Sequence, residues 1–454
     1  MAARTLLRGA TIVTMDAATG TLPRGDLLVA GDRIAAIAPR LEVDDAEVVE
    51  LGDRILIPGL VNAHLHTWQT GLRGVASDWT LPEYFSKMHA GLATVFRPED
   101  LHAATLAGAL NQLDGGTTTL VDWCHANPTP AHDDAALDAL HASGLRACFM
   151  HGTPKPDPKP GEPGFWEVPH PRAKLERLVR ERAHGLVSVG AAILGPHYST
   201  MEVALHDFRL VRELGLIGSM HQGGGPARTP EGWDRLEAEG LLGPRINIVH
   251  GHALDDRRLA RFCALGMSFS VTPENEMTQG HGFPITGRLR RLGRAPSLGA
   301  DLESVHSGEM LAAARIALGM QRALDNAAHR DAHGAIPPTT TVPARDALAW
   351  ATIEGARMLG VEDRIGSLAV GRQADLVAIR CDRLHLQPVH DPIATVVMQS
   401  GRGDVDAVMV AGRWRKRDGR LLDADVPALV TRLRASGERI LSEMGLRPGA
   451  ALGG

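Results

Sequence analysis

Between Arg4 and about Ile57 the chain alternates short apolar runs, TLLRGATIVTM, DLLVAGDRIAAIA and AEVVELGDRILI, with Gly, Asp and Pro, and shows no helical period. This pattern predicts a small β unit. From Leu60 to about Gly360, apolar runs such as TTTLVDW, LRACFM, LVSVGAAIL, LIGSMH, INIVH, MSFSVT and APSLGA alternate with helical stretches such as PEDLHAATLAGALNQL and SGEMLAAARIALGMQRAL. Apolar strands recurring between helices call for a parallel sheet buried on both faces. Seven or eight such units over about 300 residues favour a closed (β/α)8 TIM-like barrel over an open sheet. Beyond it, GSLAVGRQADLVAIR and DAVMVAGRWRKRDGRLL return to β-like runs. The simplest account pairs them with the N-terminal strands in one discontinuous β-sandwich domain. The boundaries read as 1–57 plus 365–423 for that domain, 58–364 for the barrel and 424–454 for a C-terminal helical tail, where VPALVTRLRASGERILSEMG carries apolar residues at helical spacing.

One segment breaks the alternation. GTPKPDPKPGEPGFWEVPHP, residues 152–171, is too rich in proline for regular structure. It follows a strand end at His151, which puts it over the catalytic face of a barrel. A surface excursion with no role is the other reading.

Composition narrows the class. A chain of 454 residues with 44% hydrophobic content can bury a large core, so disorder is excluded as an overall description. The net charge of −5 and the lack of a basic cluster interleaved with aromatics argue against nucleic acid and for a small-molecule partner. Cys124, Cys148, Cys263 and Cys381 lie far apart and form no CxxC pair, which argues against a disulfide framework and fits a reducing cytoplasm. Neither a signal peptide nor a membrane span is legible, so a soluble, cytoplasmic protein without a membrane partner is expected.

The chemistry starts at His64-Leu65-His66, directly after the apolar run RILIPGLVNA. Alternation along a strand points both imidazoles to one side, a bidentate start for Zn²⁺ or Fe²⁺. Two histidines two apart also occur by chance. Here, however, three further candidates each close an apolar run: His221 ends LIGSMH, His250 ends RINIVH and Asp301 ends PSLGAD. Groups converging from the C-terminal ends of different strands are what a barrel site requires.

Taken in order, IPGLVNAHLH, GGTTTLVD, the strand-end His221 and His250, and SLGAD resemble the amidohydrolase superfamily, in particular its cytosine-deaminase, adenosine-deaminase-like and triazine-chlorohydrolase branch. The flanks ATIEGARMLG, GSLAVGRQADLVAI and VMVAGRWRKRDGR agree, and the similarity spans roughly residues 4–423. The resemblance implies that His64, His66, His221 and Asp301 hold one divalent metal ion, zinc with iron as the alternative, and that His250 sits beside the reacting group. Binuclear relatives bridge two metals through a lysine near the fourth strand, and LVSVGAAILGPHYS has none. The implied chemistry is attack of metal-activated water on an electrophilic carbon, with Asp301 taking the proton and His250 stabilising the developing charge. Homodimers or larger homo-oligomers are common in similar proteins.

The chain also departs from that pattern. Deaminases of this branch place a glutamate three residues after the His221 position, but here the run is Gln222-Gly223-Gly224-Gly225. Where relatives carry a His-x-Pro-x-Ser-Asn type turn, this chain has Val271-Thr272-Pro273-Glu274-Asn275-Glu276. Either Glu274 or Glu276 supplies the missing acid/base, or both are solvated or paired with arginines such as Arg288. His197, Gln222, Trp68, His281 and Glu303 are candidates for substrate contact, against the plainer reading of each as a supporting or loop residue. His252 competes with His250 for its role. The reaction expected first is deamination of an amino-heterocycle. Hydrolysis of a cyclic amide, urea or thiocarbonyl, or displacement of a substituent such as chloride, is the enzymatic alternative. A non-catalytic binding protein on the same scaffold is the alternative of another class.

Overall fold

The computed structural model describes residues 4–223 and 225–446. Eight strands form one parallel sheet in sequence order: β1 (Leu60–Leu65), β2 (Thr117–Cys124), β3 (Arg146–Gly152), β4 (Val187–Ala192), β5 (Gly218–Gln222), β6 (Ile246–His250), β7 (Ser268–Val271) and β8 (Ser297–Leu298). Every residue of β1, β2, β3 and β6 is buried, the signature of strands covered on both faces. The sheet closes through a parallel bridge between Leu65 and Asp301, just past the end of β8. Three main-chain bonds make the seam: Ala300 N and Asp301 N donate to His64 O at 3.1 and 2.9 Å, and His66 N donates to Asp301 O at 2.9 Å. The fold is therefore the (β/α)8 barrel that the alternation predicts.

Inside the barrel a polar ladder crosses four strands. Asn247 Nδ2 donates to Ser219 Oγ at 2.9 Å, Ser268 and Ser270 hydroxyls donate to Asn247 Oδ1 at 3.1 and 3.2 Å, and the hydroxyls of Ser270 and Ser297 are 2.9 Å apart. These short side chains satisfy one another where larger apolar ones would overfill the interior.

The chain divides into two compact units. One comprises Met1–Asn62, Asn111–Thr119 and Glu309–Asp423. Its sheet has nine strands, running in the order 420–421, 413–417, 405–410, 376–380, 54–58, 4–13, 21–30 and 33–38, with 47–50 paired beside 4–13. The two ends of the sequence join where Arg54–Pro58 pairs antiparallel with Leu376–Arg380. Leu7, Ile12 and Leu27 from the first segment share one buried cluster with Leu376, Ala378 and Met409 from the last. The terminal runs thus form a single discontinuous β assembly.

The other unit comprises Ala63–Leu110, Leu120–Gly308 and Ala424–Gly454. It holds every residue of the candidate site. The expected tail helix spans Val426–Glu443 and is tied down by Ser436 Oγ, which donates to Asp100 Oδ1 at 2.7 Å, and by an Arg439–Asp100 ion pair. The tail's final residues, 447–454, lie outside the described part of the chain. Among the described residues no helix is long and apolar enough to cross a membrane, and all four cysteines are free and buried.

Closure depends on Gly299. A Cβ there would lie 2.7 Å from His64 Cβ, 2.8 Å from its carbonyl oxygen and 3.0 Å from its nitrogen. Gly299→Ala must push β8 away from β1, an overpacking that costs about 1–3 kcal/mol. Urea unfolding is expected to show that loss together with a reduced metal content; unchanged stability and metal would mean the seam is looser than this.

Candidate active site

Four ligand atoms converge at the C-terminal rim. His64 Nε2 lies 3.1 Å from His221 Nε2, and Asp301 Oδ1 lies 3.2 Å from His64 Nε2 and 3.3 Å from His66 Nε2. All four donor atoms fall within 4.8 Å of one another. His66 Nδ1 is 2.8 Å from the carbonyl of Trp123 on β2, so Nδ1 carries the hydrogen and the Nε2 lone pair faces Asp301. Burial lowers His64 to about 4 and His221 well below the ordinary imidazole value, so both are neutral at pH 7. Burial alone would raise Asp301, but the neighbouring His64 holds it well below the usual carboxylate range.

Neutral nitrogens pointing at each other across 3.1 Å next to a buried carboxylate are what a cation relieves. Three imidazoles and one carboxylate are a donor set suited to a divalent ion of the zinc type. The site is thus fitted to a divalent metal. His250 and Asp301 both adopt left-handed backbone, with φ of 70° and 63°. Such conformations are rare for residues with a side chain, and here they turn the two groups inward at the strand ends.

Glu276 occupies the next layer. It is fully buried on the short helix Pro273–Gln279 that follows β7. Its Oε1 accepts from Thr272 N at 3.0 Å and lies 3.0 Å from His250 Nδ1. Thr272 Oγ1 donates to Asp301 Oδ2 at 3.1 Å and so can only accept from His250 Nδ1, 3.3 Å away. His250 therefore carries its hydrogen on Nδ1 and turns Nε2 toward Asp301 Oδ2, at 3.8 Å. Asn275 Nδ2 donates to the same Oδ2 at 2.8 Å. Burial pushes Glu276 up to about 8 and His250 down to about 4, so at neutral pH the proton of this pair rests on the carboxyl.

The remaining candidates separate. His281 lines the cavity, its ring 4.4 Å from that of His250. His197 is buried edge-on to Tyr198. Gln222 is buried and its carbonyl accepts from Gly251 N. Trp68 has no exposed surface and packs on Phe96 and His89, away from the cavity lining. Glu303 is buried 2.7 Å from the Arg73 guanidinium, also outside the lining. Glu274 lies at the helix start with its carboxylate 3.9 Å from His306. Arg288 pairs instead with Asp256, at 2.7 Å, and does not neutralise Glu274 or Glu276. His252 reaches only the far oxygen of Glu276, at 3.9 Å. Gly224, the position of the missing glutamate, lies outside the described residues.

The cavity, counted with its part open to solvent, measures about 370 Å³. Sequence reasoning missed several groups that line it: Lys155, His89, Tyr84, Tyr198, Asn275 and Gln279. Lys155 had a signal. It sits in the proline-rich segment already placed over the catalytic face, in a chain where lysine supplies only five of 48 basic residues. In that segment only Phe165–Glu167 forms a helical turn.

A closed parallel barrel with three histidines and an aspartate at the ends of strands 1, 5 and 8 defines a metal-dependent hydrolase. The pattern of the amidohydrolase family matches residues 55–415, and the chain belongs to that family, as a hydrolase of carbon–nitrogen bonds other than peptide bonds. It is 29% identical over 449 residues to a 5-methylthioadenosine/S-adenosylhomocysteine deaminase of Syntrophobacter fumaroxidans, covering 94% of this chain and 96% of that protein. It is 28% identical over 423 residues to a 5′-deoxyadenosine deaminase of Methanothermobacter thermautotrophicus, covering 88% and 91%. Among solved structures, an adenosine deaminase of Xanthomonas campestris with bound zinc superposes with a TM-score of 0.82 at 25% identity, over 97% of this chain and 99% of that one. A triazine hydrolase variant superposes with a TM-score of 0.81 at 20% identity, over 96% and 99%, a likeness of fold alone.

If the four converging atoms are one binding site, His66→Ala and His221→Ala should each strip the bound divalent ion from purified protein, read by elemental analysis, while His252→Ala keeps it. Full metal content in both of the first two variants would contradict the assignment.

Proposed function

We propose that this protein is a mononuclear zinc-dependent aminohydrolase that deaminates a nitrogen heterocycle. The arrangement that carries this reading is the Glu276–His250 pair set against Asp301. His64, His66, His221 and Asp301 would hold the zinc ion, which when bound would supply the Lewis acidity that makes water nucleophilic at neutral pH. The chain's own groups then manage the protons. Asp301 is ionised, and its Oδ2, oriented by Thr272 and Asn275, takes a proton from the attacking water. His250 Nε2, facing that oxygen, relays a proton to the leaving amine, and Glu276 steadies the imidazolium through Nδ1. The new carbon–oxygen bond replaces the carbon–nitrogen bond, and the amine leaves as ammonia.

In this scheme Glu276 takes over, from the neighbouring strand end, the work that a glutamate at position 224 performs in relatives. The named substrates of the relatives, 5′-modified adenosines, make amino-heterocycles the first class to test. Ammonia release is expected from part of a panel of adenosines, aminopyrimidines and aminotriazines. Ring opening of cyclic amides without ammonia from any of these would defeat the proposal.

The pH dependence follows from the pair. Its dissociable proton is present below pH about 8, the value to which burial raises Glu276, and is lost as pH rises through it. Turnover is therefore expected to decline above that pH. Glu276→Gln keeps an oxygen for Nδ1–H but cannot hold the proton, so kcat is expected to fall roughly 10²- to 10⁴-fold, with the alkaline limb removed. A variant with full turnover and an unchanged pH profile would exclude Glu276 from proton transfer.

A further inference from the structure

One wall of the cavity combines a lysine amine, two imidazoles and aromatic rings. Lys155 is 7% exposed, and its Nζ lies 5.2 Å from the Phe85 ring and 5.3 Å from the Tyr198 ring. Among the described residues it has no carboxylate within ion-pair distance. Beside it, His125 is 2% exposed, and both of its ring nitrogens are buried without a partner. His89, whose ring is 4.7 Å from that of His125, has an unpartnered Nδ1 as well. All three line the cavity.

Burial without a counter-ion lowers the Lys155 ammonium to about 7, because cation–π contact offsets only part of the cost of burying the charge. Asp301 is the one carboxylate among the described residues lining the cavity, and it is committed to His64, His66, Thr272 and Asn275. An anion arriving with the substrate would therefore supply the counter-ion that the described residues do not. A second divalent ion on His89 and His125 is disfavoured by the ammonium beside them. A sugar diol is also poorly served, because no uncommitted carboxylate lines the cavity to accept from it.

The carrier segment is held ready. Lys155 stands between Pro154 and Pro156, which restrict the backbone before any ligand arrives. The base of the loop is pinned where His170 Nε2 donates to His151 O at 2.9 Å and His170 N donates to Asp207 Oδ1 at 2.9 Å.

We infer that the substrate is a nitrogen heterocycle bearing a carboxylate, bound with that carboxylate on Lys155 Nζ and the ring N–H of His125, and with its reacting carbon toward Asp301. One cation and neutral imidazoles match a compact monoanion better than a phosphate dianion. This assignment rests on the aminohydrolase reading and narrows it to an anionic substrate class.

Equilibrium binding to the metal-loaded enzyme tests it, with pyrazine-2-carboxylate and pyrazine-2-carboxamide as probes in titration calorimetry. Charge-assisted hydrogen bonding leads us to expect a preference for the carboxylate of roughly 10- to 100-fold. Lys155→Met should abolish that preference without lowering the melting temperature, because it removes an unpaired buried charge. Equal affinity for the two probes, or a preference that survives in Lys155→Met because the carboxylate sits on the metal, would overturn the inference. A drop in melting temperature with the preference intact would make Lys155 structural. The readout is independent of turnover. A Lys155-dependent preference without ammonia from any heterocycle would defeat the aminohydrolase reading alone. Ammonia from a neutral amino-heterocycle, with kcat/KM unchanged in Lys155→Met, would defeat the anion assignment alone.

Discussion

The seam between the first and last barrel strands is the contact on which the site depends. Three main-chain hydrogen bonds between His64–His66 and Ala300–Asp301 set the Asp301 carboxylate beside the two imidazoles of β1. Gly299 permits it, since any side chain there would strike the backbone of His64. Closing the barrel and assembling the ligand set are therefore one event. A loosened seam would spread the donors beyond the reach of a single ion.

Desolvation governs what the assembled groups can do. Burial keeps His64 and His221 neutral, and hence able to donate lone pairs, while contact with His64 keeps Asp301 ionised. The same burial acts oppositely on Glu276, which receives only a backbone N–H and an imidazole in place of a cation and so retains its proton near neutrality. Two carboxyl groups linked through Thr272 are thus driven to opposite protonation states, the division of labour that acid–base chemistry at one carbon requires.

The polar economy of the cavity is lopsided. Among the described residues, imidazoles, amides, phenols and one lysine amine line it together with a single carboxylate. It leaves imidazole nitrogens of His125 and His89 without partners on the side of Lys155. A substrate can complete such groups, which is how the composition of this wall bears on substrate charge.

The sequence by itself determined the architecture and which histidines and aspartate end its strands. Apolar runs alternating with helical stretches demand a sheet covered on both faces. Histidines and an aspartate that end those runs land at one rim, because every parallel strand points its C-terminus the same way. The glutamate substitution near β7 was legible too, but only as a pair of alternatives. The choice between Glu274 and Glu276 came from tertiary structure, which buries one against His250 and leaves the other at the helix edge beside His306. Trp68 and Glu303, close to the ligands in sequence, turn into the core and onto Arg73. Lys155 and His89, far from any ligand in sequence, reach the cavity. Strand ends are fixed by local periodicity, which sequence carries. The direction in which loops and short helices after those ends deliver their side chains depends on packing between segments far apart in the chain, and only the folded structure decides that.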